Sequence, residues 1–66
     1  MVVRRRLIAL RQSKGMTQAQ VAQALGLSRA YYTQLETGRR TPSLDVGLRL
    51  ARFFGVSFEE LFAPRM

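Results

Sequence analysis

The sequence contains no cysteine and no histidine, and only four of its 66 residues are acidic. Disulfide bonds are therefore excluded, and a zinc site would lack its usual thiolate and imidazole ligands. Glu59 and Glu60 are adjacent on one short predicted turn, where their side chains point apart, so no carboxylates are paired for acid–base chemistry. We therefore predict no enzyme activity, no metal and no cofactor. The stability of so short a chain has to come from compact packing or self-association.

Long apolar runs are also absent from the sequence. No segment approaches the roughly 20 apolar residues of a membrane-spanning helix. The N-terminal stretch MVVRRRLIAL has too short an apolar run for a signal peptide, and no small-residue cleavage site follows it. We expect a cytoplasmic protein, and the lack of cysteine fits a reducing compartment.

Basic residues, in contrast, are abundant. Eleven lysines and arginines give a formal charge of +7 and an isoelectric point near 11.6, and ten of the eleven are arginine. Arginine suits bidentate contacts to phosphates and base edges. The charge favours a polyanionic partner, with nucleic acid ahead of a membrane surface. The alternative is a basic surface that serves solubility alone.

Capping and turn residues divide the chain into five short helices, and no stretch alternates as a strand does. The predicted helices cover about residues 3–13, 17–25, 28–37, 43–54 and 57–62, so the fold class is all-α in one domain over residues 1–66. Thr17 with Gln20 and Ser57 with Glu60 have the spacing of capping boxes, and Ser28 and Ser43 are predicted N-caps. An apolar stripe of Val3, Leu7 and Leu10 is expected on the first helix. The N-terminal MVV is a weak candidate for strand pairing with the C-terminal tail.

Residues 17–37 have the pattern of two helices that cross steeply at a glycine. Gly26 can adopt a positive φ at low cost, and Ala22 is small enough for close approach. A small core is predicted to hold the crossing, formed by Val21, Leu25, Leu27, Tyr32 and Leu35. This is the pattern of a helix-turn-helix motif, which presents its second helix to a groove.

Several motifs occur in order along the chain: LR before KG-TQ, then LA-LG-S, LE-G-R-P and LA--FGVS-EELF. With these motifs, residues 3–62 resemble the lambda-repressor-like, Cro/XRE type of helix-turn-helix domain. The resemblance implies a dimeric, sequence-specific DNA-binding repressor or activator. Its third helix would lie in the major groove of double-stranded DNA and its second would cross the backbone.

Within this resemblance, the third helix supplies the candidate base-contacting residues, which are Arg29, Ala30, Tyr31, Thr33 and Gln34. Arg29 suits guanine O6 and N7, Gln34 suits adenine N6 and N7, and Ala30 permits contact with a thymine methyl. The alternatives are a phosphate contact for Arg29 and simple solvation for Gln34. Tyr31 flanks the exposed face, where it either contacts DNA or packs over the RRTP loop. Tyr32 faces the core and requires a partner or water for its hydroxyl.

Other residues are candidates for contacts to the DNA backbone, namely Thr17, Gln18, Ser28, Arg39 and Arg40. The resemblance assigns Gln18 to a phosphate, aided by the free N–H groups of that helix terminus, while Thr17 is chiefly a cap. For Arg39 and Arg40 the alternative is a solvated loop. The resemblance also implies a structural ion pair between Arg11 and Glu36.

The fourth helix carries more apolar surface than one small core needs, which favours a homodimer. The candidate interface residues are Val46, Leu48, Phe53 and Phe58, and the alternative is that they cover the core. Gly47 either permits close approach of two such helices or marks a weak point. A second function class is a protein-interaction or antitoxin-type module with the same fold. The operator, the sign of regulation and any regulatory protein partner do not follow from the sequence.

Overall fold

The computed structural model describes residues 3–62, which form five helices without a strand among them. The helices are α1 (Arg5–Ser13), α2 (Gln18–Ala24), α3 (Arg29–Thr37), α4 (Leu44–Phe54) and α5 (Phe58–Phe62). The predicted all-α fold with five short helices is confirmed. The suggested pairing of the N-terminal residues with the C-terminal tail lies outside the described residues.

Side-chain caps set the starts of the three central helices. The Thr17 hydroxyl accepts a hydrogen bond from the Gln20 N–H, and the Gln20 side chain accepts one from the Thr17 N–H, which completes the predicted capping box. Ser28 and Ser43 accept from the N–H groups of Tyr31 and Val46 in the same manner. Each cap satisfies a backbone donor that the helix itself leaves unpaired, so these helices begin where the sequence predicts.

Two glycines with positive φ set the orientation of α3. Gly26 has φ 70° in the turn after α2, where the Leu27 N–H donates to the Ala22 carbonyl at 2.8 Å. Gly38 has φ 81° and ends α3. A side chain resists this left-handed conformation, so both glycines permit sharp turns that leave α3 short and projecting.

The core lies between all five helices. Its buried apolar members are Leu7, Val21, Ala22, Leu25, Tyr32, Leu35, Leu50, Ala51, Phe54 and Leu61. The predicted α2–α3 core is therefore present, with Leu27 packed against it and half buried. The prediction for Val3 is wrong, because α1 begins only at Arg5 and Val3 is 45% exposed.

Tyr32 is the largest fully buried side chain of the described part of the chain. The sequence led us to expect its hydroxyl to find a partner or water near the rim. Instead the oxygen is buried and makes no hydrogen bond to the described residues. Burial raises the pKa of Tyr32, and the nearby Glu36 carboxylate raises it further, so the hydroxyl stays neutral.

Gly47 is buried in α4 beneath the ring of Phe58. A Cβ at this position would lie 2.3 Å from Phe58 Cε2, well inside van der Waals contact. The ring also packs against Phe62, with centroids 5.3 Å apart. Neither sequence-based explanation of Gly47 is needed, because the glycine makes room for α5 of its own chain.

Replacing Gly47 by alanine should therefore change the free energy of unfolding with a sign that depends on Phe58. In the otherwise unaltered chain, displacement of the ring should cost about 1–3 kcal/mol and outweigh the gain of about 1 kcal/mol in helix propensity. In a Phe58→Ala background, Gly47→Ala should stabilise by about that propensity gain. Urea unfolding followed by circular dichroism measures both. The same sign in both backgrounds would contradict the packing explanation.

Candidate nucleic-acid interface

The outer face of α3 is a surface of short polar side chains flanked by arginines. Arg29 and Ala30 are exposed, whereas Tyr31, Thr33 and Gln34 are half buried. A shallow surface depression runs along this face, and its lining residues are Arg29, Ala30, Thr33, Gln34, Thr37 and Arg39. The structure thus brings four of the five predicted base-contacting residues to one surface. Tyr31 lies at its edge and packs partly against the core.

A buried ion pair fixes α3 to α1. Glu36 is 1% exposed, and its carboxylate accepts hydrogen bonds from Arg11 Nε at 2.6 Å and Arg11 Nη2 at 3.3 Å. The third guanidinium nitrogen, Nη1, donates to the Met16 carbonyl at 3.0 Å. Burial alone would raise the pKa of Glu36, but the hydrogen bonds from Arg11 and Gln18 prevail and lower it. The carboxylate is therefore ionised and satisfied.

Gln18 extends this pair to α2 and to the outer face of α3. Its Nε2 donates to Glu36 Oε1 at 2.9 Å, and its Oε1 accepts from the Thr33 hydroxyl at 2.9 Å. One Nε2 hydrogen remains for another acceptor. The single hydroxyl hydrogen of Thr33 is used, so Thr33 offers an incoming ligand only its oxygen lone pairs and its methyl group.

The C-terminal end of α3 is held by Arg4. Arg4 Nη1 donates to the Leu35 carbonyl at 2.7 Å and to the Arg40 carbonyl at 2.9 Å, and the Arg4 N–H donates to the Glu36 carbonyl at 2.8 Å. Its guanidinium also lies over the Phe62 ring, 5.1 Å from the centroid. Carbonyls at a helix C-terminus carry partial negative charge, so a cation there is stabilising.

The loop after α3 folds back onto that helix. The Arg40 N–H donates to the Gln34 carbonyl at 3.2 Å, and Arg40 Nε donates to the side-chain Oε1 of Gln34 at 2.9 Å. Arg39 is exposed, and its side chain makes no hydrogen bond within residues 3–62. The two adjacent arginines therefore differ. The Arg39 side chain is free to reach outward, whereas the Arg40 side chain contacts Gln34 on the outer face of α3.

Thr17 and Ser28, which are also predicted to contact the DNA backbone, are helix caps. Thr17 caps α2 and Ser28 caps α3, and both are exposed. Their hydroxyl oxygens accept from the backbone, but each hydroxyl retains a hydrogen that can be donated to a phosphate. The capping role and a DNA contact are therefore compatible.

The apolar residues of α4 lie on two flanks of its buried face. Leu44 and Leu48, one turn apart, are 66% and 40% exposed. Val46 and Phe53 lie on the opposite flank and are half buried against the core. Phe58, on α5, is half buried over Gly47. Of the four residues predicted for a dimer interface, only Leu48 belongs to the exposed flank.

Sequence reasoning missed two arginines that organise this region. Arg4 holds the end of α3, and Arg49 of α4 donates to the Leu25 carbonyl at the end of α2. Both act through backbone carbonyls, which carry no residue-specific signal. Their only sequence signal was the general excess of arginine.

In the described part of the chain, no helix is long and apolar enough to cross a membrane. The same residues contain no group of three or more potential metal-ligating side chains.

The family model that matches this chain is a helix-turn-helix domain, and the match spans residues 7–61. The chain therefore belongs to the helix-turn-helix family, of the lambda-repressor-like Cro/C1 type that its motifs indicate. Relatives with this domain are named as transcriptional regulators.

This chain is similar to the following three regulators, among others. The uncharacterized HTH-type transcriptional regulator y4dJ of Sinorhizobium fredii is 44% identical over 83% of this chain and 71% of its own length. The uncharacterized HTH-type transcriptional regulator YqaF of Bacillus subtilis is 40% identical over 79% of this chain and 68% of its own. The cryptic phage CTXphi transcriptional repressor RstR of Vibrio cholerae is 35% identical over 79% of this chain and 47% of its own.

Removing one partner of the buried ion pair should destabilise the fold severely. Arg11→Met leaves the Glu36 carboxylate buried without its cation, which should cost about 3–5 kcal/mol of unfolding free energy. Arg6→Met is the matched control, because the Arg6–Glu60 pair is about half exposed at both ends and 3.1 Å long. An exposed pair should contribute about 0–1 kcal/mol. Urea titration compares the two, and equal losses would contradict the structural role of Glu36.

Proposed function

We propose that this protein is a sequence-specific transcriptional regulator that binds double-stranded DNA as a homodimer in the cytoplasm, with α3 in the major groove. One observation carries the proposal. The outer face of α3 is accessible and is bordered by Arg29 and Arg39, which form no ion pair within residues 3–62, while the only acid of that helix is buried and paired. A groove-reading helix needs this combination, since an exposed carboxylate would repel the phosphates. Similarity to RstR, which is named a transcriptional repressor, supports repression as the mode of regulation.

Base reading falls to the residues on the exposed face. Arg29 lies at the N-terminal end of α3, the part that enters the groove most deeply in this docking mode. Its side chain makes no hydrogen bond within residues 3–62, so all five of its N–H donors are available, and two of them suit a bidentate contact to guanine O6 and N7. Ala30 permits close approach, and the Thr33 methyl and Ala30 both suit a thymine methyl. Tyr31, at the edge, suits a phosphate or sugar.

Phosphate contacts are assigned to the ends of α2 and α3. Arg39 provides a free guanidinium, and Arg40 keeps its two Nη groups. Gln18 retains one Nε2 hydrogen beside the N-terminus of α2, and the Thr17 and Ser28 hydroxyls can donate nearby. Such contacts set register and affinity and do not distinguish bases.

The exposed flank of α4 supports the homodimer. Leu44 and Leu48 form an apolar surface that residues 3–62 do not cover. A twofold axis beside these residues lets the same patch contact its copy. Two copies of α3 would then lie about 34 Å apart, one turn of DNA.

Selection of bound duplexes from a random pool at two salt concentrations tests the function. A palindromic consensus with half-sites about one helical turn apart is the expected result. Binding that depends on salt but not on sequence would overturn the proposal.

Arg29 and Arg39 should respond differently to the same substitution. Arg29→Met should lower affinity mainly for the preferred base at one position of each half-site, by about 1–3 kcal/mol. Arg39→Met should weaken binding to all duplexes about equally and reduce the slope of log K against log salt by about one per subunit. Fluorescence anisotropy with single-base variants of the consensus measures both. Indistinguishable profiles would contradict the assigned roles.

Leu48→Glu should disrupt the dimer, because it places a charge in an apolar contact that pairs with its own copy. Sedimentation equilibrium should show a dimer for the unaltered chain and a monomer for the variant. Gln23→Glu adds the same charge at an exposed position of α2 and should leave association unchanged. Equal association of Leu48→Glu and the unaltered chain would exclude this flank as the interface.

A further inference from the structure

The Gln34 side chain is already engaged within the protein. Its Oε1 accepts a hydrogen bond from Arg40 Nε at 2.9 Å. Arginine has donors only, so the carbonyl oxygen of the amide has to face Arg40, and the amino group has to face away. This contact therefore fixes the orientation of an amide that would otherwise be free to turn over.

The backbone of Arg40 is anchored independently of its side chain. The Arg40 N–H donates to the Gln34 carbonyl at 3.2 Å, and the Arg40 carbonyl accepts from Arg4 Nη1 at 2.9 Å. Arg4 in turn donates to the Leu35 carbonyl of α3. The loop is thus held against the end of α3 through both the N–H and the carbonyl of Arg40. The guanidinium therefore lies beside Gln34 before any ligand arrives.

The orientation of Gln34 determines which base it suits. A free glutamine binds adenine by accepting from N6 and donating to N7. Because Oε1 faces Arg40 and accepts from Arg40 Nε on one of its two lone pairs, the Gln34 amide presents its Nε2 group, with two N–H donors, on the side away from Arg40. Guanine offers two acceptors, N7 and O6, on its major-groove edge, whereas adenine offers one acceptor and one donor. An amide that presents its amino group and turns its oxygen toward Arg40 matches guanine better than adenine.

We propose that Arg40 is a positioning residue that makes Gln34 a reader of guanine rather than of adenine. The proposal rests on the proposed function, in which α3 lies in the major groove. It reverses the base that the Gln34 side chain alone suggests. The Nη groups of Arg40 remain able to contact the adjacent phosphate.

The test compares the unaltered chain with Gln34→Ala, Arg40→Met and Arg39→Met in selection from random duplexes and in anisotropy titrations. Gln34→Ala identifies the base pair that Gln34 reads, as the position at which preference is lost. The unaltered chain should prefer guanine there. Arg40→Met should lower the ratio of guanine to adenine affinity at that position by about tenfold, the scale of one bidentate contact.

Arg39→Met is the matched control, because it removes the same charge from an adjacent exposed residue. Both arginine variants should lose overall affinity and salt dependence, but only Arg40→Met should change the base preference. In the Gln34→Ala background, Arg40→Met should leave base preference unchanged, since its effect acts through Gln34. Circular dichroism should show unaltered helix content, because the Arg40 side chain is exposed and its backbone bonds remain.

The outcomes separate this inference from the function on which it rests. If the unaltered chain selects no consensus, the proposed function fails. If it selects one but prefers adenine at the Gln34 position, or shows no Gln34-dependent position, the inference is overturned and the function stands. Equal preference changes in Arg39→Met and Arg40→Met, or a change in the Gln34→Ala background, overturn it as well.

Discussion

In a chain with a formal charge of +7, one of four carboxylates is buried where α1, α2 and α3 meet. Such a carboxylate is tolerated only when it is fully paired, because removing a charge from water costs several kcal/mol per ion. This cost is on the order of the whole free energy of unfolding of a small domain. Arg11 and Gln18 supply that pairing. The position of α3 therefore depends on one ion pair, and the same pair keeps a negative charge away from the surface that faces outward.

The two ends of α3 are stabilised by different means. At the N-terminal end, Ser28 caps the helix locally, so Arg29 is left without a structural partner in the described chain. At the C-terminal end, Arg4 joins the helix carbonyls, the following loop and α5. A contact between distant segments limits the movement of that loop more than a local cap does. The last turn of α3 and the loop are therefore held by contacts to distant segments, whereas the first turn is held by a local cap.

Much of the fold follows from local signals in the sequence. The caps Thr17, Ser28 and Ser43 and the glycine turns set the helix boundaries. Each cap accepts from a backbone N–H group three residues later, and each glycine ends the helix before it. Contacts between distant segments could not be predicted from these local signals. The cover of Phe58 over Gly47 leaves no periodic signal, since it depends on how α5 docks. The contacts of Arg4 and Arg40 were likewise not predictable, because a long arginine side chain can reach many carbonyls.

The same limit applies to base readout. A sequence identifies Gln34 as a polar residue on the exposed face, but an isolated glutamine offers one donor and one acceptor group and can take either orientation. The partner that selects the orientation, Arg40, lies six residues away beyond a left-handed glycine, at a distance set by tertiary structure. Specificity is a difference between affinities, so turning the amide oxygen away disfavours the base that needs an acceptor, while the amino group favours the base that needs donors. In the proposal made above, a loop residue therefore changes the base preference of a residue on α3 without touching a base itself.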